Sequence, residues 1–373
     1  MNQSNQPSLT AASVWGIAWG VASVGMLALL CLQAQLSVEG VQAGFALCYR
    51  SVLPALFPFF VVSHLIIASP LSNWLGIIAL PYTHGILGIQ SSKAGSALLL
   101  GWLGGFGVAA ASVSQLYQQG DISRRDGSVL LVCSVGSGPA FVVTSVGMLM
   151  LGRPAAGLCL WLALLGANLV AGAVAAQLMS RQPAGTAPRP IAQEHAAPSL
   201  PLAMASALKS SLNVCGFVLF FSALQGSLTP LLPAHPALRA ALAGLLEVTG
   251  GCQAFATLGG SLGLLGCCGV LSLQSVSVLL QVRALTAPEL SLLPLLAVRP
   301  VHLVLSVGLF KLLAGQIPGA QAAVSTLAPQ VIPRLRCAPD AALVVFWVCC
   351  IVLLALHPSH TPRPAKPGKS AIK

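Results

Sequence analysis

Residues 93–118 read KAGSALLLGWLGGFGVAAASVSQLYQ, and residues 238–259 read LRAALAGLLEVTGGCQAFATLG. A membrane-spanning helix needs about 20 mostly apolar residues, and both stretches are long enough. Each is nonetheless interrupted near its middle, the first by Gly101, Gly104, Gly105 and Gly107, the second by Gly250 and Gly251. Whether such a segment crosses the bilayer or turns back decides the fold. Irregular backbone at membrane depth survives only where protein or a watery cavity satisfies its polar groups.

The basic residues choose between the two. If both segments are re-entrant hairpins, Lys93, Arg124, Arg125, Arg181, Arg189, Lys209, Arg283 and four cations of the C-terminal tail fall on one side, eleven against six. If both cross, the same residues divide eight against nine. The positive-inside bias favours hairpins, with both termini cytoplasmic. Each half then makes three full crossings plus one hairpin, and this odd number inverts the second half relative to the first. The hairpin tips are expected to line a cavity.

Composition sets the solvent. Hydrophobic residues make up 56% of the 373-residue chain and charged residues 7%, against roughly a quarter charged in a soluble domain. A net charge of +11 is scattered over loops and a short basic tail, which fits a membrane protein better than a nucleic-acid binder. Of the eleven cysteines, Cys31, Cys133, Cys159, Cys215, Cys349 and Cys350 sit inside apolar runs and read as small hydrophobes. No paired Cys-x-x-Cys or His-rich cluster suggests zinc, and no cofactor is implied. The first apolar segment lacks a basic leader and precedes further spans, so it reads as a membrane helix rather than a signal peptide.

The expected fold is therefore all-α and polytopic, with about eight spanning helices and two re-entrant hairpins in two inverted repeats. Spans are expected at 9–36, 44–69, 128–151, 154–180, 205–229, 261–282, 289–313 and 340–357, with an interfacial connection at 70–92. Residues 1–43 form an N-terminal helix and connection, 44–180 the first repeat, 181–204 a Pro-rich polar linker, 205–315 the second repeat, and 316–373 a loop, a last helix and a basic tail. Each repeat opens with a span carrying a cation and then two phenylalanines, Arg50 with Phe59-Phe60 and Lys209 with Phe220-Phe221, and continues with a Gly-Gly pair, Gly104-Gly105 or Gly250-Gly251. Interrupted segments at matching positions of two repeats point to a transporter's binding site.

Few residues there can carry chemistry. Glu247, followed by Thr249, lies at the expected second tip, and Arg299 and His302 lie one turn apart in a long apolar helix. An Arg at a helix centre costs on the order of 2.5–3.5 kcal/mol even on lenient insertion scales, so it needs a partner or a task. Arg299 is expected to face the cavity and bind an anionic group, with His302 beside it and Glu247 closing the site. Two structural alternatives stay open: Glu247 and Arg299 pair with each other, or Arg299 reaches an interface ahead of Pro300. The Ser137-Gly138-Pro139 break frees backbone groups that either hold substrate or merely kink a span. His64 reads as an interface residue, and Tyr117 as an interfacial anchor.

Five runs occur in order: Leu53-Pro54-Ala55-Leu56-Phe57-Pro58-Phe59-Phe60, Gly104-Gly105-Phe106-Gly107, Ser137-Gly138-Pro139-Ala140-Phe141, Gly244-Leu245-Leu246-Glu247-Val248-Thr249-Gly250-Gly251 and Arg299-Pro300-Val301-His302. Together they resemble the YlbJ-like sporulation integral membrane proteins, of the nucleoside-recognition or gate-domain group, distantly similar to concentrative nucleoside transporters. The resemblance spans roughly residues 40–315. It implies alternating-access movement of dipicolinic acid across the outer forespore membrane of a bacterium, with membrane lipid and sporulation membrane proteins or a second copy as partners. An embedded Arg suits a small aromatic dicarboxylate, whose carboxylates match its planar fork. The chain departs from the family at Phe106 and Gly107, where Tyr-Pro is usual, and at Ser137-Gly138, where an Asn precedes the proline.

Two other classes of transported or non-transported role are compatible: carriage of a nucleoside or other small solute, and a non-transporting scaffold. An intramembrane enzyme is not expected, because no Gly-x-Ser-x-Gly, His-Glu-x-x-His or spaced Asp pair lies in the spans.

Overall fold

The structure, a computed structural model, describes residues 11–180, 199–232 and 234–316, which are helical throughout apart from turns and short connections. The expected span at 340–357, most of the linker and both termini lie outside the described residues. Among the described residues fifteen α-helices run in order: α1 (Ala11–Leu32), α2 (Ala34–Leu47), α3 (Leu53–Ala68), α4 (Leu71–Ile78), α5 (Leu80–Gly85), α6 (Ala94–Gly104), α7 (Phe106–Gln118), α8 (Arg124–Ser134), α9 (Pro154–Met179), α10 (Leu200–Leu228), α11 (Pro236–Leu246), α12 (Val248–Leu258), α13 (Gly260–Leu273), α14 (Val276–Leu285) and α15 (Leu293–Gln316). Two π-helical stretches, Cys48–Val52 and Ala140–Met150, join α2 to α3 and follow α8.

Exposure is inverted relative to a soluble protein. Val304, Leu178, Leu212 and Leu208 face outward from the long helices, while Ser96, Ser112, Ser128, Ser134, Ser211 and Asn168 are buried. Contiguous apolar exposure on this scale marks a surface meant for another apolar phase. Among the described residues, four helical stretches are long and apolar enough to cross a bilayer, 154–179, 200–231, 260–285 and 293–314, or six if each of two bent pairs counts as one span. The protein is a polytopic α-helical membrane protein.

The expected span at 9–36 is bent: α1 and α2 meet at 95°. Polarity explains the corner. Gln33, Gln35, Ser37, Glu39 and Gln42 cannot be left in hydrocarbon, and Gln35 donates to the Glu39 carboxylate at 3.2 Å. The helical path that the second expected span begins at residue 44 therefore starts at Ala34. The expected span at 128–151 divides at 135–139 into α8 and a π-helix of 11 residues each, both too short to cross alone. Residues 70–92 form α4 and α5, with α4 turned 103° from the helix before it.

Both interrupted segments fold back on themselves. α6 and α7 pack side by side, and the residue before α6, Lys93, is ion-paired at 2.8 Å with Asp121, just beyond α7. The two ends of this segment therefore lie at one place. Next to it, Ser123 and Asp126 form a capping box that starts α8, and Arg125 donates to Ala176 O at 2.9 Å near the end of α9. α11 and α12 pair likewise, with Gly251 so close to Gly244 that a Cβ on Gly251 would collide with the Gly244 backbone, whereas one on Gly244 would collide with Val270.

After each hairpin comes a helix opened part-way and then a long helix: α8, the 135–139 opening, the π-helix and α9; then α13, the 274–275 opening, α14 and α15. α9 packs against α15, α8 and the π-helix. It buries Ala163, Ala167, Ala171 and Ala175 at four-residue spacing, a small-residue stripe that lets membrane helices approach closely.

Candidate functional site

The two hairpin tips meet across one cavity of about 840 Å³, counting its open mouth. The first tip supplies Leu103, Gly104, Gly105 and Phe106, the second Glu247, Val248 and Thr249. The opening after α8 adds Ser137, Gly138, Ala140 and Phe141, and α14 adds Val278 and Gln281. α3 contributes Leu56 and Phe59. The wall is mostly apolar, with a few polar groups set into it, the usual composition of a small-molecule site.

The first tip needs glycine for two separate reasons. Gly105 ends α6 at φ +84°, in the left-handed region that side chains avoid. It also packs on the opened segment: a Cβ on Gly138 would lie 3.0 Å from Leu103 O and 3.1 Å from the Gly105 amide. The second tip is built around a carboxylate instead. Glu247 is the extended N-cap of α12, and its Oε2 accepts from the Gly250 amide at 2.7 Å. A carboxylate there satisfies an orphan donor and meets the positive end of the helix dipole. The Gly-Gly pairs therefore do different jobs: Gly104-Gly105 makes a turn, whereas Gly250 and Gly251 lie in the first turn of α12, where Gly251 packs on Gly244.

Helix ends are sorted around the cavity. α7, the π-helix and α12 begin on its wall, at Phe106, Ala140 and Val248, and helix N-termini carry partial positive charge. The carbonyl ends of α8 and α13 are occupied elsewhere. Arg299 on α15 donates from Nη2 to Val135 O at 3.2 Å and from Nη1 to Ser272 O at 3.3 Å. Gln274, the sole described non-glycine residue at positive φ (60°), donates to the same Val135 O at 3.1 Å. One turn beyond Arg299, His302 Nδ1 shares a 2.6 Å hydrogen bond with the Ser272 hydroxyl and one of 3.2 Å with that of Ser306.

Of the residues predicted from sequence, Gly104, Gly105, Ser137, Gly138, Glu247 and Thr249 come together on the cavity wall. Pro139 stands between two wall residues as the N-cap of the π-helix. Arg299 and His302 are off the wall, buried behind the two openings. Neither open alternative for Arg299 describes its position: its guanidinium is bonded to backbone carbonyls, it is 4% exposed, and it makes no ion pair with Glu247. An unsatisfied helix C-terminus competes for a cation as well as any carboxylate does. Among the described side chains the wall carries one ionisable group, Glu247.

Sequence reading passed over the opening at Gln274-Ser275, treating 261–282 as unbroken. No Gly or Pro marks it; the only local signal is the polar run Gln274-Ser275 with Ser277 in an apolar helix. It likewise passed over Gln281, whose Nε2 donates to Ser277 Oγ at 2.9 Å while its buried Oε1 has no partner. The aromatic wall of Phe59, Phe106 and Phe141 appeared in quoted runs but not as a site. His64 bonds Gln115 across α3 and α7 at 3.0 Å, away from the cavity wall.

No family model matches the chain, and no solved structure does. One curated protein, the sporulation integral membrane protein YlbJ of Bacillus subtilis (strain 168), is 27% identical over 114 residues. The match takes in 31% of this chain and 28% of that protein, so well under two thirds of the relative is spanned. Over the matched portion the chain is similar to that sporulation membrane protein, and its own apolar helices are those of a membrane protein.

Proposed function

We propose that this protein is a transporter that carries a small organic anion across a bacterial membrane by alternating access, with the cavity as its substrate site and the two hairpin tips as its gates. One observation carries the reading: both tips and an opened helix contribute to a single cavity. Interrupted backbone at membrane depth is expensive unless it lines a cavity, and paired interrupted segments are the common construction of transporter sites. The repeated order of hairpin, opened helix and long helix supports two inverted repeats of the gate-domain type. The family resemblance of the sequence implies dipicolinic acid as the substrate and the outer forespore membrane as the location, the charge bias implies cytoplasmic termini, and the likeness to a sporulation membrane protein is in keeping with that location. Three helix N-termini on the wall suit such an anion.

A second reading has its own support. Glu247 is the wall's one described ionisable group, and Gln281 has a free acceptor. Those two acceptors favour a neutral, donor-bearing solute such as a nucleoside over a doubly charged acid. Purified protein challenged with dipicolinate, nucleosides and other small carboxylates separates the two, because a ligand that binds only the folded state raises Tm with its concentration. Stabilisation by dipicolinate, followed by its uptake into proteoliposomes, is the expected result. Stabilisation by nucleosides alone replaces the substrate, and no saturable uptake of any tested solute removes the transporter reading.

A further inference from the structure

We infer that Arg299 is a positioning residue, a latch that ties the opened helix of the first half to that of the second and so holds two walls of the cavity in register without touching the substrate. The inference rests on the transporter reading for its functional consequence, but not for its geometry.

The chain opens twice beside the cavity, at 135–139 and at 274–275. Each opening leaves carbonyls at a helix end without intrahelical donors, inside a membrane protein where water is scarce. Arg299 meets both needs with one group: Nη2 reaches Val135 O and Nη1 reaches Ser272 O, residues 137 positions apart in the chain. A guanidinium spreads its donors over a rigid fork, so fixing one bond fixes the other. Its positive charge is compensated by two helix C-termini in place of a carboxylate. Gln274, held at φ 60°, closes the arrangement by donating to Val135 O from the second opening, and His302 holds the Ser272 hydroxyl from the next turn of α15.

What the latch holds is the site. Ser137 and Gly138 follow Val135 after one intervening residue, Gly136, and line the cavity, and Gly138 is packed on the first hairpin tip. Val278 and Gln281 follow the second opening and line it too. Arg299 thus holds Val135, two positions before the wall residue Ser137, and Ser272, six positions before the wall residue Val278. In an inverted-repeat transporter the openings move relative to each other or together, and a bond between them makes them move together.

The test uses the full-length protein in nanodiscs and reads amide hydrogen exchange, which needs no ligand. In Arg299→Lys, which keeps a charge but loses the two-pronged donor, exchange in 136–141 and in 275–279 should both rise about tenfold or more while the interior of α9 is unchanged. Gln274→Gly, which keeps the positive φ and removes the second donor to Val135 O, should loosen 136–141 by a smaller factor. Acceleration in one opening only, in neither, or equally throughout α9 overturns the latch. If Arg299→Lys does not fold, the Gln274→Gly result decides: no change at 136–141 overturns it. Uptake gives the functional arm. A latch predicts that Arg299→Lys weakens uptake of neutral and anionic solutes by the same factor, whereas a direct anion ligand weakens only the anions. Wild-type protein that transports nothing sinks the proposed function and leaves the exchange result to judge the latch alone.

Discussion

Glu247 and Arg299 are both buried charges in apolar surroundings, and their partners are separate sets of backbone groups. Glu247 is held by the Gly250 amide at a helix start, Arg299 by Val135 and Ser272 carbonyls at helix ends. Sites with no shared partner give nearly additive changes, within about 0.5 kcal/mol, whereas breaking a mutual buried ion pair leaves a stranded charge at a cost of about 3–5 kcal/mol. Glu247→Gln and Arg299→Gln should therefore add in denaturant or thermal unfolding of the purified protein. A double variant much more stable than that sum would mean the two charges do compensate each other. Arg299 was legible from its sequence as a residue needing a task. The task itself was not, because carbonyls left over at helix ends leave no trace in residue types, and their openings come from chain segments far apart.

At the scale of elements, close approach of backbones does what side-chain chemistry does elsewhere. α11 and α12 touch through Gly244 and Gly251, and the first tip touches the opened segment through Gly105 and Gly138. Neither contact admits a methyl group without movement. Gly251→Ala should separate the second hairpin and cost about 1–3 kcal/mol, the usual penalty for overpacking. Gly138→Ala should act differently, since the Leu103 carbonyl and the Gly105 amide that its Cβ meets at 3.0 and 3.1 Å belong to a tip rather than to a packed helix pair. It should shift the tip and weaken ligand binding at least tenfold with a smaller loss of Tm. Thermal unfolding with and without ligand checks both, and a Gly251→Ala protein as stable as wild type would show that the hairpin is not packed through these glycines. The break at Gly136-Ser137-Gly138-Pro139 was visible in sequence because Gly and Pro mark it. The break at Gln274 was hidden, since a non-glycine residue takes the positive φ there and long-range hydrogen bonds hold it.

For the whole molecule, the Lys93–Asp121 ion pair at 2.8 Å makes the topology testable. In a cysteine-free background, Ser91→Cys and Gln119→Cys should label with an impermeant thiol reagent from the same side of sealed, oriented vesicles. Labelling from opposite sides would turn the hairpin into a crossing and remove the tip from the cavity. The basic residues favour the same-side outcome, because the positive-inside bias acts on insertion and is written in loop composition.

Several features follow from residues alone. A chain with 7% charged residues requires a bilayer as solvent, and glycine-interrupted apolar segments require a protein-lined cavity. Glu247 at a tip and Gly138 at a break follow from the same local reading. Local sequence expresses these things because hydropathy, backbone freedom and helix-breaking are properties of neighbouring residues. Only the tertiary structure decided that α1 and α2 meet at a corner, that the cavity is walled by Phe59, Phe106, Phe141 and Gln281, and that Arg299 serves two distant carbonyls instead of the cavity. Those depend on which helix ends are left unsatisfied and which side chain arrives to meet them, and that is settled when separate segments pack.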